Sequence, residues 1–395
     1  MERLDELARI GRLDGQDGST RPGLGPAEQE ACELVEGWLA DEGLVVSWDA
    51  VGNLFGRLPG SDPACPETWT GSHLDTVPNG GRFDGALGVV CAIEAVGTLA
   101  GERGPSTVAV VVFRDEEGWR FGRGFLGSRA VCDGLATAEL ERSDADGISV
   151  AGALAALGHA GHAARVSLPG TFIEVHVEQG PVLEGEDLPL AAVSSIVGMA
   201  GFSCTFHGSA GHAGTVPMDA RRDAFAACAE FAGLLRERSI AIAGSVATIG
   251  DVRIAEPAAN VVPGRVQATV DVRAPTAEAL AALVEATPAL AREAAARHGC
   301  SSEVEPTWRS EPVTLSAAVA GALRHAADEL GVPLPGLVSG AGHDAGILAA
   351  AGVDSGMLFV RSLNGGASHR PDELSGEADL AAAIDVLAAA LRGAR

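Results

Sequence analysis

Positive charge is what this chain has least of. Lys and Arg number 28 against 53 Asp and Glu, a formal net charge of −25, whereas phosphate binding runs on clustered basic residues. Nucleic acid and anionic membranes are therefore excluded as expected partners, and a soluble protein is expected instead. Seven cysteines form an odd set without any CxxC pair, which reads as scattered thiols in a reducing compartment rather than a disulfide framework. No basic segment followed by an apolar stretch opens the chain, and no apolar run reaches transmembrane length. The expected location is the cytoplasm. No internal repeat at solenoid period is visible.

What is present is core-forming material. Hydrophobic residues make up 47% of 395 and charged residues 21%, enough apolar surface for two domains and too much for global disorder. The spacing of Ala31, Leu34, Val35, Trp38 and Leu39 predicts an amphipathic helix over 27–42, stopped by Gly43. Strands are predicted over 44–48 and 53–58. Residues 107–113, TVAVVVF, form an unbroken apolar run typical of a strand buried on both faces.

The stretch around which the chain is organised is GSHLDTVPNGGRFDG, residues 71–85. It follows a short strand-like run at 68–72 and precedes a helix-like run at 86–99. His73, Asp75 and Asp84 thus stand at the mouth of a strand–loop–helix unit, where open α/β sheets hold their chemistry. The Asn79-Gly80-Gly81 turn lets Asp84 return toward His73. Imidazole with carboxylate is a ligand set for Zn, Mn, Co or Ni, and an Asp can bridge two ions.

A second acidic group, Asp115-Glu116-Glu117, follows directly on the buried 107–113 strand. Three adjacent acids there are costly unless they bind something positive. Neighbouring glutamates can divide the work of a hydrolytic metal site, Glu117 as ligand and Glu116 as proton acceptor. His176 lies near the end of a third predicted strand, 171–177, and His369 follows a fourth, 356–361. Between about 197 and 306 the pattern changes to a strand, a helix over 219–237, further strands and an alanine-rich helix ending at His298. That pattern predicts an inserted α+β domain with a small antiparallel sheet, so the domains are 1–196 and 307–395 for the α/β part and 197–306 for the insert.

Taken together, GSHLDTVPNGGRFDG, DEEGWRF, FIEVHVEQGPVLE, GSAGHAGTVPMDARRD, NVVPG with DVR, SGAGHDA and GASHRPDE resemble the amidase and carbamoylase branch of the dinuclear metalloaminoacylase and carboxypeptidase superfamily. The likeness implies an α/β catalytic domain with a mixed, largely parallel sheet flanked by helices, and an inserted lid that mediates homodimerisation. It implies two divalent ions per subunit, zinc foremost with Mn, Co or Ni as alternatives, and hydrolysis of linear amides in N-carbamoyl or ureido acids with release of ammonia and CO2.

Residue by residue, the likeness makes Asp84 the bridging ligand, with His73 and His176 at one ion and Glu117 with His369 at the other. Glu116 becomes the general base, and Asp75 orients His73 through its far nitrogen. His212 acts on the scissile carbonyl, and Gln179, His212, Asn260, Arg273, Gly340 and Ala341 contact the substrate. The Glu256-Pro257-Ala258-Ala259 segment departs from the pattern that precedes Asn260 in relatives. An aminoacylase or dipeptidase on the same core, disfavoured by His176 and Gln179, and a catalytically silent ligand-binding relative are the competing expectations. His159, His162, His207, His298 and His325 match no motif and are read as structural or exposed.

Overall fold

The computed structural model describes residues 1–102, 104–159 and 167–394. The chain divides into two compact units, Met1–Ser194 with Thr314–Arg395, and Ser195–Val313.

The first unit is built on a nine-stranded mixed sheet. At its centre four strands run parallel in the order Val108–Phe113, Thr68–His73, Thr171–Val177 and Asp354–Val360. Antiparallel strands extend both edges, with Leu54–Leu58 on one side and Leu190–Ile196 on the other. The expected mixed, largely parallel sheet with helical cover is what forms. The VAVVVF strand is buried along its whole length, which explains its lack of polar alternation. Val108, Val110 and Val112 share one core with the helices Ala86–Gly97, Ala317–Leu330 and Glu377–Ala394. Ala109, Val111 and Phe113 alternate to the opposite face. Burying each of the valine and phenylalanine side chains contributes roughly 1.5–3 kcal/mol.

Register matters more here than element length. His73 pairs with Phe113, and His176 with Phe359, so the carboxyl ends of adjacent strands are level. The order places the second strand in sequence outside the first, while the next lies on the first strand's other side. That reversal leaves a crevice beyond the strand ends between His73 and His176, the usual place for a ligand in open α/β sheets.

The second unit is an antiparallel four-stranded sheet, Ser301–Ser310, Gly198–His207, Arg265–Ala274 and Val246–Ile254 in that order. Helices Ala224–Ile240 and Ala277–Arg297 share its core with Phe202, Phe206, Val270 and Leu283. The helix predicted from Asp219 begins instead at Ala224. Asp223 caps it by accepting the N–H groups of Phe225 and Ala226, while Met218–Ala220 form a separate 3-10 turn after Pro217. No described helix is long and apolar enough to cross a membrane.

Candidate active site

Four strand ends of the first unit deliver their polar residues to one place. His73 ends its strand, His176 is the penultimate residue of its own, and Glu116 and Glu117 follow the Val108–Phe113 strand. Asp84 comes from the loop before the Ala86–Gly97 helix, and His369 from the loop after Asp354–Val360. The ligand atoms of His73, Asp84 and His176 all lie within 4.8 Å of one another, and so do those of Asp84, Glu117 and His369. Asp84 belongs to both groups and divides its oxygens between them. Oδ1 lies 3.1 Å from His176 Nε2 and 3.7 Å from His73 Nε2, while Oδ2 lies 3.3 Å from His369 Nε2. Glu117 Oε2 is 3.5 Å from the same His369 nitrogen.

The inner histidines are oriented from behind. His73 Nδ1 lies 3.2 Å from the carbonyl of Asp75 and 3.4 Å from its carboxylate, and His176 Nδ1 lies 2.9 Å from the carbonyl of Val177. A proton held on each Nδ1 leaves the Nε2 lone pair facing Asp84, as a metal-binding histidine requires. Asp75 has a second role that the sequence did not show: its oxygens accept the backbone N–H groups of Glu116 and Glu117 at 3.1 and 3.0 Å. One buried carboxylate thus fixes an imidazole and the neighbouring acidic turn.

The electrostatics are those of a site prepared for cations. Burial pulls the His73 imidazole down, but Glu116, Asp75 and Asp84 outweigh it and hold it well above its ordinary value. Burial pushes Asp84 up, yet the hydrogen bond from His176 and the charges of the facing histidines hold it well below the usual carboxylate range. Burial raises Glu116 well above its ordinary value and lifts Glu117 to about 7. The hydrogen bond to Asp84 lifts His369, which is 49% exposed, to about 9. Glu117 Oε1 is buried without a hydrogen-bond partner among the described residues. Two groups of N and O donors sharing a carboxylate, with an orphaned oxygen among them, fit divalent ions of the Zn, Mn, Co or Ni type.

The sequence pattern of peptidase family M20/M25/M40 matches residues 69–393. The chain belongs to this family. It is 39% identical to the N-carbamoyl-L-amino acid amidohydrolase of Geobacillus stearothermophilus, over 98% of this chain and 95% of that one. It is 34% identical to the allantoate deiminase of Arabidopsis thaliana, over 96% of this chain and 79% of that one. The crystal structure of a hydantoinase/carbamoylase family amidase from Burkholderia multivorans superposes with a TM-score of 0.91 at 32% identity, over 99% of this chain and 95% of that one.

In this M20 chain the remaining expected residues fall into two sets. Gln179, with a left-handed φ of 57°, donates from Nε2 to Asp84 Oδ2 at 2.8 Å and leaves its Oε1 buried and, among the described residues, unpartnered. Gly340 and Ala341 follow the Gly336–Ser339 strand, and Ala341 N–H donates to Ser339 Oγ. His212, Asn260 and Arg273 lie in the second unit. His212 is adjacent to Asn260, whose carbonyl accepts the N–H of Ala213, and His212 Nδ1 accepts the N–H of Gly214. Arg273 is separate from both, on the Arg265–Ala274 strand and ion-paired with Asp271 at 2.9 Å. The Glu256-Pro257-Ala258-Ala259 departure lines a cavity of about 380 Å³ with Ala210 and Val261.

Several supporting residues escaped the sequence reading. His343 is buried with its ring centroid 4.5 Å from that of His176, and burial holds it well below its ordinary value. Glu174, two residues before His176 on the same strand face, accepts Ser72 Oγ–H and the N–H of Ala345. Glu373 accepts the N–H groups of Phe83 and Asp84 at 2.8 and 3.0 Å. The i, i+2 spacing of Glu174 and His176 was an available signal, and His343 and Glu373 stand inside the SGAGHDA and GASHRPDE motifs, though without a role assigned to either. Of the unassigned histidines, His159 stacks on Trp48, His207 and His298 face Glu303 and Glu230, and His325 is exposed. His162 lies outside the described residues.

Proposed function

We propose that this protein is a metal-dependent amidohydrolase of N-carbamoyl or ureido acids, converting R–NH–CO–NH2 and water to R–NH2, CO2 and NH3. The observation that carries the reading is Asp84, whose two oxygens face two separate sets of nitrogen and oxygen donors. Similarity to N-carbamoyl-amino-acid and allantoate hydrolases over nearly the whole chain supports the substrate class.

His73 and His176 would hold one divalent ion, Glu117 and His369 the other, and Asp84 both. Such ions supply Lewis-acid polarisation of a carbonyl and lower the pKa of water. Glu116, 3.7 Å from His73 and nearly buried, takes a proton from the attacking water. It returns that proton to the leaving nitrogen as the C–N bond breaks. Its raised proton affinity suits a group that must both accept and donate near neutrality. Gln179, Gly340 and Ala341 would contact the substrate. His212 with Asn260 would stabilise charge on the carbonyl oxygen, and Arg273 would clamp the substrate carboxylate with its planar fork.

The inserted unit, which we place at 197–306 in function, would also carry the dimer contact. The edge position of the Val246–Ile254 strand, with Val246 and Val252 exposed, supports this, and sedimentation equilibrium checks it. The activity itself is tested by ammonia release from N-carbamoyl amino acids, allantoate and β-ureidopropionate, with N-acetyl amino acids as controls. The metal-free protein is reconstituted with Zn, Mn, Co or Ni in turn, which also decides the metal. Two bound ions with no release from any ureido acid would sink the assignment.

A further inference from the structure

The acidic turn is held in an unusual way. Four successive backbone N–H groups, those of Arg114, Asp115, Glu116 and Glu117, are each taken by a side-chain oxygen from a distant part of the chain. Asn53 Oδ1 accepts the first at 3.0 Å, Glu28 Oε1 the second at 3.0 Å, and the two oxygens of Asp75 accept the others at 3.1 and 3.0 Å. The carbonyls of Arg114, Asp115 and Glu116 accept the N–H groups of Gly127, Leu126 and Phe125. The turn has no helix or sheet ladder of its own, so its shape is set by these acceptors. Asp115 sits within it at φ 51°, a conformation that non-glycine residues adopt only when surrounding structure fixes it.

Glu28, like Asn53, is an acceptor outside the metal-type cluster. It lies in the first turn of the Pro26–Asp41 helix, is fully buried, and pairs with the equally buried Arg114 at 2.8 Å. Its Oε2 also accepts the N–H of Leu24 at 2.6 Å. Arg114 donates in turn to Gln29 Oε1 and the Gly52 carbonyl. A buried ion pair is weak grounds for stability, because desolvation offsets the attraction. Its geometry here serves something else: the same carboxylate that neutralises Arg114 fixes the peptide between Arg114 and Asp115, one residue before Glu116.

We propose that Glu28, with Arg114 as its counter-ion, is a positioning residue that sets the Glu116 carboxylate against His73 by holding the Asp115 N–H. The inference rests on Glu116 as the proton acceptor. In Glu28→Gln a single oxygen faces three donors, from Leu24, Arg114 and Asp115, so one side of the pair is left unserved. Displacements of about 1 Å at a reacting group cost on the order of 100-fold in rate.

The test uses the full-length, metal-loaded protein. Glu28→Gln is expected to lower kcat about 100-fold with KM within threefold and metal content equal to the parent's, and to speed amide hydrogen exchange at residues 115–117 at least tenfold. In Glu28→Gln/Arg114→Gln the competing cation is gone. The side-chain amide introduced at position 28 can then give its oxygen to the Asp115 N–H and its NH2 group to the amide oxygen introduced at position 114, and at least tenfold of the rate should return. A folded Glu28→Gln with kcat within threefold of the parent, or with unchanged exchange at these amides, overturns the proposal. Should the single variant not fold, the double variant decides: parental exchange with recovered kcat supports the role, and parental exchange with a hundredfold loss overturns it. If the parent releases no ammonia from any ureido acid, the functional reading fails, while amide exchange still decides whether Glu28 holds the turn.

Discussion

Asp84 Oδ1 stands 3.1 Å from His176 Nε2, and both side chains are almost wholly withdrawn from water. A carboxylate and an imidazole so placed attract a proton when no cation is present. Burial pushes Asp84 up, but the hydrogen bond and charge of His176, with His369 and His73, together outweigh it and keep Asp84 ionised, and Asp84 in turn raises His176 against its own burial. Protons and metal ions therefore compete for one set of lone pairs.

Metal affinity should accordingly rise with pH. His369 must lose its proton to act as a ligand, and it is lifted to about 9; Glu117 is lifted to about 7. Titrating metal-free protein with Zn or Mn between pH 6 and 9 should show apparent affinity increasing throughout, with protons released on binding. A pH-independent affinity would remove His369 and Glu117 from the ligand set.

The same shift predicts the pH dependence of the metal-free fold. The folded value of His369 lies above its unfolded value, so its contribution is fully present below about 6.5 and lost as pH rises through about 9. The urea midpoint of chelated protein should fall across that window more in the parent than in His369→Ala. The difference should be small, since the ring is half exposed.

Because Asp84 is common to both donor groups, Asp84→Asn should strip nearly all metal, whereas His369→Ala should leave the group formed with His73 and His176 occupied. Metal analysis after gel filtration checks both. Equal losses in the two variants would argue against a shared carboxylate.

Glu116→Gln should keep the parental metal content and lower kcat by roughly 100- to 10,000-fold, the range that proton transfer supplies. Ammonia release measured at saturating substrate reads this directly, and a near-normal rate would take Glu116 out of the base role.

Gly81 lies against Glu373, and a Cβ there would meet Glu373 Oε2 at 2.2 Å. Gly81→Ala must push away the carboxylate that holds the N–H groups of Phe83 and Asp84. We expect a loss of about 1–3 kcal/mol of stability, the usual consequence of overpacking, together with weaker metal binding. Thermal melts of chelated and metal-loaded protein separate the two effects, and an unchanged chelated melt would mean that Glu373 yields without strain.

The sequence alone determined the ligand chemistry and its place on strand ends. An apolar run such as VAVVVF has to be buried on both faces, and acids that follow it directly are carried to the carboxyl end of the sheet. The helix beginning at Ala86 followed from a similar local pattern, while the largely parallel sheet was implied by the family resemblance. What only the tertiary structure decided is which polar residues support that chemistry. Glu28 and Asp115 are 87 residues apart, and Phe83 and Glu373 are 290 apart. No periodicity links such pairs, and an Asn, Glu or His in a loop looks alike in sequence whether it faces solvent or closes a buried hydrogen bond. The choice is made when strand register brings distant segments together and excludes water, because a polar group buried there must find a partner or be lost from the fold.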